Sequence, residues 1–232
     1  MIENQLKAIR TQIKEAAQKV KRQEKEITLI AVSKTYPVQA IEEAIHEGCT
    51  DFGENQVQEL MKKMDAIKNP VNWHLIGHLQ TNKVKYVVGK VDLIHSMDSL
   101  KLAQEIEKQS AKKGVITRVL VEVNVANEAT KYGFKTDEVI EAMKILNTLP
   151  HIKVEGLMTV APFVENPEKN RPIFRKLYDL SVDIQKQNLD NISTSILSMG
   201  MSNDYQIAIE EGATMVRVGT AIFGNRDYSK KN

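Results

Sequence analysis

The sequence has few of the features that mark secreted, membrane-bound or nucleic-acid-binding proteins. Its 232 residues include one cysteine and no apolar run near the roughly 20 residues of a transmembrane helix. The first five residues, Met-Ile-Glu-Asn-Gln, contain no apolar leader segment. Basic and acidic side chains number 32 and 30, so no charge excess points to a nucleic-acid partner. We therefore expect a cytoplasmic protein, in which Cys49 is buried and inert.

The composition that is present is typical of a globular domain, with 42% hydrophobic and 27% charged residues. Because no low-complexity tract or Gly/Ser linker divides the chain, we predict one domain over residues 1–232. Residues 1–25 form an N-terminal helix in this prediction, and residues 26–225 form the remaining fold. The apolar positions at three- and four-residue steps that predict the helix are Ile2, Leu6, Ile9, Ile13, Ala16 and Val20.

Short β-rich runs then alternate with amphipathic helical segments. The eight runs are Ile27–Lys34, Thr50–Glu54, Trp73–Leu79, Leu93–Met97, Arg118–Val125, Val154–Val160, Thr194–Met199 and Met215–Phe223. This alternation predicts an α/β fold with a parallel sheet and helical crossovers. Eight such units favour a (β/α)8 TIM barrel, whose functional residues lie where the strands end. A doubly wound sheet is the alternative, although it more usually has five or six strands.

Lys34 is the sharpest candidate at a strand end. Period-2 alternation places it on the same face as Ile30 and Val32, which we expect to be the barrel interior. A desolvated lysine loses its proton more easily, and a free amine is what imine formation with a carbonyl requires. The alternative is a lysine whose amine extends from the strand end into solvent.

Arg217 is the second candidate, because it shares a face with Met215 and Gly219 and should point inward. An inward guanidinium needs an anion or a strong acceptor, since it keeps its charge. The structural alternative is a buried ion pair with Glu122 or Glu155.

Two turns of small residues resemble a phosphate-binding site. Ser198–Ser202, with Gly200 at its centre, leads into a predicted helix from Asn203 or Asp204, and Gly219–Thr220 follows the last run. Backbone N–H groups in such turns bind phosphate, and loops seven and eight are a frequent phosphate site of barrels. Gly200 and Ser202 taken alone fit a turn and a helix cap equally well.

An imine-forming lysine, an inward arginine and a phosphate site together suggest pyridoxal 5′-phosphate (PLP) as the cofactor. A metal centre is not predicted. His74 and His78, read as residues of one strand, are about 13 Å apart and cannot hold one ion.

Six motifs, in order over nearly the whole chain, resemble the YggS/PROSC family of PLP homeostasis proteins. They are Ala31–Lys34, Phe52–Asn55, Trp73–Lys83, Gly156–Thr159, Ser198–Asp204 and Val216–Gly224. The resemblance implies a fold like the N-terminal barrel of alanine racemase (PLP fold type III) with an extra N-terminal helix. It also implies a Schiff base between PLP and Lys34. Cofactor contacts are implied for Asn55, Met199, Gly200, Ser202, Arg217, Gly219 and Thr220.

The resemblance further implies a role in vitamin B6 homeostasis, in which the protein holds PLP and supplies it to PLP-dependent apo-enzymes. We expect a monomer without catalytic residues. The alternatives are a PLP-dependent amino-acid racemase and a lysine-imine aldolase acting on a sugar phosphate. The racemase is disfavoured because the sequence ends eight residues after Gly224, which leaves no room for a second domain. The polar segment Pro162–Pro172 is expected to be an exposed connection or a lid over the barrel mouth.

Overall fold

The computed structural model describes residues 1–224, which form a closed barrel of eight parallel strands in sequence order. The strands are β1 (Thr28–Val32), β2 (Asp51–Glu54), β3 (Asn72–Leu75), β4 (Leu93–Met97), β5 (Thr117–Glu122), β6 (Ile152–Met158), β7 (Ile192–Met201) and β8 (Met215–Val218). β8 pairs with β1, with Arg217 opposite Ile30. This pairing closes the sheet, so the predicted barrel is confirmed and the open doubly wound sheet is excluded.

Helices connect the strands on the outside of the barrel. The α-helices are α1 (Ile2–Lys19), α2 (Val38–His46), α3 (Val57–Ala66), α4 (Val84–Val87), α5 (Leu100–Lys113), α6 (Val139–Leu146), α7 (Arg171–Gln185), α8 (Tyr205–Glu210) and α9 (Thr220–Phe223). Short 3-10 turns occupy Glu24–Glu26, Thr81–Lys83 and Pro167–Asn170. None of the helices in residues 1–224 is long and apolar enough to cross a bilayer.

The extra N-terminal helix is present as α1. Its apolar positions from Ile2 to Ala16 are buried, because this face packs against α8 and α9. Val20 does not continue the stripe, since the helix ends at Lys19 and Val20 is exposed. Residue 225, the predicted end of the barrel, lies outside the described residues, and the division at residue 25 stays a prediction.

Several predicted strand ends were wrong, and the errors lie beside the barrel mouth. β1 stops at Val32, before Lys34, and the chain then turns through Thr35 at a φ of 69°. β3 stops at Leu75, so His78 lies in a loop. β8 stops at Val218, and Thr220–Phe223 is helical. A short apolar run such as Ala221–Phe223 suits either element, so periodicity alone could not separate them.

The apolar residues form two layers. A small cluster inside the barrel contains Leu93, Leu120 and Met158, with Met215 packed against it. Alternate residues of the same strands, such as Ile94, face outward into the large layer between sheet and helices. This alternation follows from the two faces of a strand, and polar residues occupy the interior above the small cluster.

Candidate functional site

A cavity of about 610 Å³ opens at the carboxyl-terminal mouth of the barrel. Six of the eight predicted cofactor residues line it: Lys34, Asn55, Ser202, Arg217, Gly219 and Thr220. Val32, Ile76, Val160 and Phe163 are among its apolar lining residues. A cavity of this size, with few polar groups on apolar walls, is typical of a small-molecule site. The predicted site residues therefore converge, although whether they bind a cofactor stays a prediction.

Lys34 reaches the cavity from a loop and not from a strand. It lies two residues beyond β1 and is partly buried. The strand-face argument for its orientation was therefore wrong, since the alternation of β1 stops at Val32. The loop is held at both of its ends, because Ser33 N–H donates to Gly53 O (3.1 Å) and Thr35 N–H donates to Glu59 Oε1 (2.6 Å).

A buried ionic network supports this loop, and the sequence analysis missed it. Lys63 Nζ on α3 donates to Ser33 O, Glu54 Oε1 and Glu59 Oε1, at 2.7 Å in each case. Ser33 Oγ also donates to Glu54 Oε1, at 2.6 Å. Burial raises the pKa of Glu54, against the opposing effect of Lys63. The spacing of Glu59 and Lys63 by four helical residues was the one available sequence signal.

Arg217 points into the barrel, as predicted. The side chain is buried, and it donates from Nη1 to Ser198 Oγ (2.6 Å) and from Nη2 to Thr159 O (2.8 Å). Burial lowers the pKa of Arg217 to about 10, opposed mainly by the charge of Glu122. The guanidinium therefore stays protonated at neutral pH, held by neutral acceptors.

Within residues 1–224, Arg217 forms no ion pair with Glu122 or Glu155, which were its alternative partners. Glu155 pairs instead with Arg118 and Lys153. Glu122 makes no salt bridge within residues 1–224, although its charge interacts electrostatically with that of Arg217. Burial, with the charge of Asp98, raises the pKa of Glu122 to about 7. This carboxyl group is therefore poised between its two protonation states near neutral pH.

The loops after β7 and β8 meet at the cavity, as predicted. Gly219 N–H donates to Ser202 Oγ (3.2 Å), and Thr220 begins α9. The helix after Ser202 begins at Tyr205, with Asp204 as its N-cap residue. Asp204 faces the cavity, and its carboxylate accepts hydrogen bonds from Met201 N–H (2.7 Å) and Asn170 Nδ2 (2.8 Å). Small side chains and the Ser202 hydroxyl, which accepts from Gly219 and still has its own hydrogen to donate, are thus gathered on one wall, as a phosphate site requires.

Met199 and Gly200 do not belong to the cavity lining. Met199 is fully buried in the outer apolar layer. Gly200 has a φ of 89°, and a Cβ there would lie 2.6 Å from Ala208 Cβ and 2.8 Å from Tyr205 Cα. Gly200 is therefore needed so that α8 can pack against β7, and cofactor contacts of these two residues remain predictions.

Asn55 adds an unsatisfied polar atom to the cavity. It follows β2, and its Oδ1 is buried without a hydrogen-bond partner in residues 1–224. Buried polar atoms are rarely left unpaired in native proteins. The oxygen atom itself is shielded from solvent, so a cofactor contact of Asn55 stays a prediction.

The segment Pro162–Pro172 is more structured than a plain loop. It contains a 3-10 turn and the first residues of α7, and Asn170 is buried and donates to Pro162 O (2.9 Å). Phe163 lines the cavity with 83% of its surface exposed. This segment thus forms part of the cavity rim, whereas its action as a lid stays a prediction.

The histidines outside the cavity have separate partners. His78 Nδ1–H donates to Asp98 Oδ2 (2.9 Å), and the ring stacks on the Tyr132 ring, with 3.7 Å between centroids. His74 lies inside the barrel, bonded to Asp51 and His95. In residues 1–224, no cluster of three His, Cys, Asp or Glu side chains could hold a metal ion. Cys49 is buried, as predicted, and burial raises its pKa to about 11.

Comparison with known proteins places these features in a family. The sequence model of the alanine racemase N-terminal domain matches residues 5–227. The "Pyridoxal phosphate homeostasis protein" of Aquifex aeolicus is 46% identical over 224 residues, covering 96% of this chain and 97% of that protein. PipY from Synechococcus elongatus PCC7942, solved with PLP bound, is 31% identical with a TM-score of 0.84, covering 97% of this chain and all of that chain.

Alanine racemase of Clostridium difficile 630 shares the fold, with a TM-score of 0.73 at 18% identity. The match covers 97% of this chain and 56% of that one. The sequence identity to these relatives over nearly the full length, together with the shared barrel, confirms the resemblance that the motifs indicated. The chain belongs to the alanine racemase N-terminal domain family and, within it, to the pyridoxal phosphate homeostasis proteins.

Proposed function

We propose that this protein binds PLP and supplies it to other proteins, and so maintains the intracellular supply of vitamin B6. The observation that carries the proposal is the convergence of Lys34, Arg217, Ser202 and Gly219 on one cavity. A primary amine, a guanidinium and a wall of small, hydroxyl-bearing residues match the aldehyde, the ring and the phosphate of PLP. The names of the relatives and the PLP-bound PipY structure support the same cofactor.

The residues present fit the cofactor. Lys34 would hold its aldehyde carbon as an imine, and Ser202, Gly219 and Thr220 would receive its phosphate. Arg217 would face the ring nitrogen, and Asn55, which also lines the cavity, would lie beside the cofactor. When bound, PLP supplies a reactive aldehyde and a ring that can accept electrons.

The charge of Arg217 favours storage over turnover. A guanidinium that keeps its proton near neutral pH disfavours a second positive charge on a neighbouring ring nitrogen. An unprotonated ring is a weaker electron acceptor, so amino-acid chemistry on it would be slow. An imine on Lys34 would be reversible, because water would return it to the free amine and the aldehyde, and this would permit release of PLP to apo-enzymes. We further propose that the protein acts as a monomer in the cytoplasm, where a buried, unreactive Cys49 stays reduced.

The experiment that tests cofactor binding is a visible absorption spectrum followed by borohydride reduction and peptide mass mapping. We expect a yellow protein in which reduction fixes the cofactor on Lys34. Lys34→Ala should abolish the fixed adduct, whereas Lys62→Ala, an exposed lysine on α3, should leave it intact. A protein that stays colourless with added PLP would refute the proposal and leave the aldolase to be tested.

The supply role needs a separate test. The loaded protein is mixed with a PLP-dependent apo-enzyme, and reactivation is compared with that produced by the same total PLP in free solution. Transfer that keeps pace with, or exceeds, the free cofactor supports a carrier. Turnover of amino acids by the loaded protein at ordinary enzyme rates would instead support the racemase alternative.

A further inference from the structure

Inside the barrel, four polar side chains from four strands form an unbroken path that ends at Arg217. We infer that Asp51, His74, His95 and Ser198 are positioning residues, forming one directional hydrogen-bond chain that holds the Arg217 guanidinium at the cavity. The link from Arg217 to a cofactor rests on the proposed function. The hydrogen-bond chain itself rests on the distances between its atoms and on the burial of its two histidine rings, without the cofactor.

Each link of the path has hydrogen-bond length. Asp51 Oδ1 lies 3.0 Å from His74 Nε2, and His74 Nδ1 lies 3.0 Å from His95 Nε2. His95 Nδ1 lies 2.9 Å from Ser198 Oγ, which lies 2.6 Å from Arg217 Nη1. His95 and Ser198 are fully buried and His74 nearly so, so water does not compete for these groups. The path crosses the barrel from the start of β2 to β8.

Arg217 sets the direction of the chain, because a guanidinium only donates. Ser198 Oγ must accept from Arg217. Within residues 1–224, the other hydrogen-bond partner of this hydroxyl is His95 Nδ1, so the hydroxyl hydrogen is donated there. Burial, with the charge of Arg217, holds the pKa of His95 well below its usual value, so its ring is neutral. A neutral ring that accepts at Nδ1 carries its hydrogen on Nε2.

The directions of the hydrogen bonds from His95 to Asp51 follow in the same way. His95 Nε2–H donates to His74 Nδ1, and His74 Nε2–H donates to Asp51 Oδ1. Burial acts to raise the pKa of Asp51, but hydrogen bonds from His74, Thr50 and Asn72 outweigh it and lower the pKa. The chain therefore starts on a donor that keeps its charge and ends on a carboxylate. Each donor along it has one acceptor in the chain, and Asp51 Oδ1 at its end also accepts from Asn72 Nδ2, at 3.1 Å.

The consequence for the site is a fixed guanidinium. Ser198 and the carbonyl of Thr159 take one donor each from Nη1 and Nη2, which leaves three of the five N–H groups for other acceptors. Since Arg217 lines the cavity, its orientation decides what these donors can reach. Loss of His95 would free the Ser198 hydroxyl to rotate, and Arg217 would lose its defined acceptor.

The first test is the tautomeric state of the histidines, measured on the full-length protein by long-range 1H–15N NMR with and without PLP. We expect His74 and His95 to carry their hydrogens on Nε2 in both samples. Signals are assigned with His74→Gln and His95→Gln. His46, whose side chain is 87% exposed and whose Nδ1 lies 3.2 Å from Glu47 Oε1, is the internal reference for a ring outside the barrel. A hydrogen on Nδ1 of either buried ring would overturn the inference.

The second test follows the Arg217 guanidinium. In the parent protein we expect separate, slowly exchanging Nη signals, because both Nη groups are held. His95→Leu should merge or broaden these signals. His95→Gln should restore them in part, since an amide also accepts and donates. The control His46→Gln should leave the Arg217 signals unchanged. Unchanged Arg217 signals in a folded His95→Leu protein would reject the positioning role.

Cofactor affinity separates this inference from the proposed function. If the parent binds PLP, His95→Leu should weaken binding at least fivefold while leaving the borohydride adduct on Lys34. An unaltered affinity would reject the role of the chain at the site. A parent that does not bind PLP would refute the proposed function alone, because both NMR readouts decide the chain without the cofactor.

Discussion

Lys63 Nζ lies 2.7 Å from Glu54 Oε1, and both side chains are buried beneath the loop that carries Lys34. The ammonium group also reaches Ser33 O and Glu59 Oε1, so it ties α3, β2 and the loop after β1 together. Glu59 in turn accepts from Thr35 N–H. The residues on both sides of Lys34 are thus anchored by one buried lysine, and this anchoring fixes where the Lys34 side chain starts.

Lys63→Met should lower the free energy of unfolding by about 3 kcal/mol, because it leaves the Glu54 carboxylate buried without its partner. Urea unfolding at pH 7 measures the change. Glu54→Gln added to Lys63→Met should recover part of the loss. The control is Lys62→Met, an exposed neighbour on α3, which should stay within about 0.5 kcal/mol of the parent. Equal stability of the parent and Lys63→Met would contradict a stabilising network.

Glu122 should make stability depend on pH. Its folded-state pKa of about 7 lies above the ordinary 4.5, so the folded protein holds the proton more tightly. The resulting stabilisation is complete below about pH 4.5 and is lost as pH rises through 7. At about 1.36 kcal/mol per pH unit between the two pKa values, the upper bound is roughly 3 kcal/mol.

The measurement for Glu122 is denaturant unfolding between pH 5 and 8, without added PLP, on the parent and on Glu122→Gln. The parent should lose more stability than the variant over this interval, because glutamine does not titrate. Two parallel stability profiles would show that Glu122 has an ordinary pKa in the folded state.

Gly200→Ala should destabilise the protein by about 2 kcal/mol or more, because the position needs a positive φ and leaves no room for a Cβ. Thermal or urea unfolding measures this loss. Gly114→Ala is the matched control, since that glycine also has a positive φ but no atom within 4 Å of an added Cβ. If both variants lose the same stability, the close packing of α8 on β7 is not the cause.

Ser202→Ala combined with Gly219→Val should weaken PLP retention at least tenfold. The change removes a hydroxyl from the cavity wall, and it adds a side chain whose Cβ already lies 3.2 Å from Val32 O. Equilibrium dialysis measures affinity, and circular dichroism checks that the barrel remains folded. Ser195→Ala, an exposed serine on β7, is the control. An affinity equal to that of the parent would reject a phosphate site at these loops.

Much of the fold could be predicted because the alternation of β-rich runs and helical segments is local information. Functional residues of a barrel lie where its strands end, and this rule led to Lys34, Ser202, Arg217 and Thr220, which line one cavity. The rule succeeded for Lys34 although β1 ends two residues earlier than predicted, because the loop continues toward the barrel mouth. Cofactor contacts of Met199 and Gly200 were implied by the family resemblance, and Gly200 also lay in the predicted phosphate-binding turn. Packing places Met199 in the outer layer and Gly200 against α8.

The sequence by itself determined the barrel, the order of its elements and the candidate residues at its mouth, since these follow from periodicity and from strand ends. Only the tertiary structure decided the partners of those residues. His95 and Ser198 are 103 positions apart, and Ser33 and Lys63 are 30 apart. Closure of the sheet and the docking of α3 bring such groups together. No local pattern encodes these distances, because each contact depends on the register of strands distant in sequence.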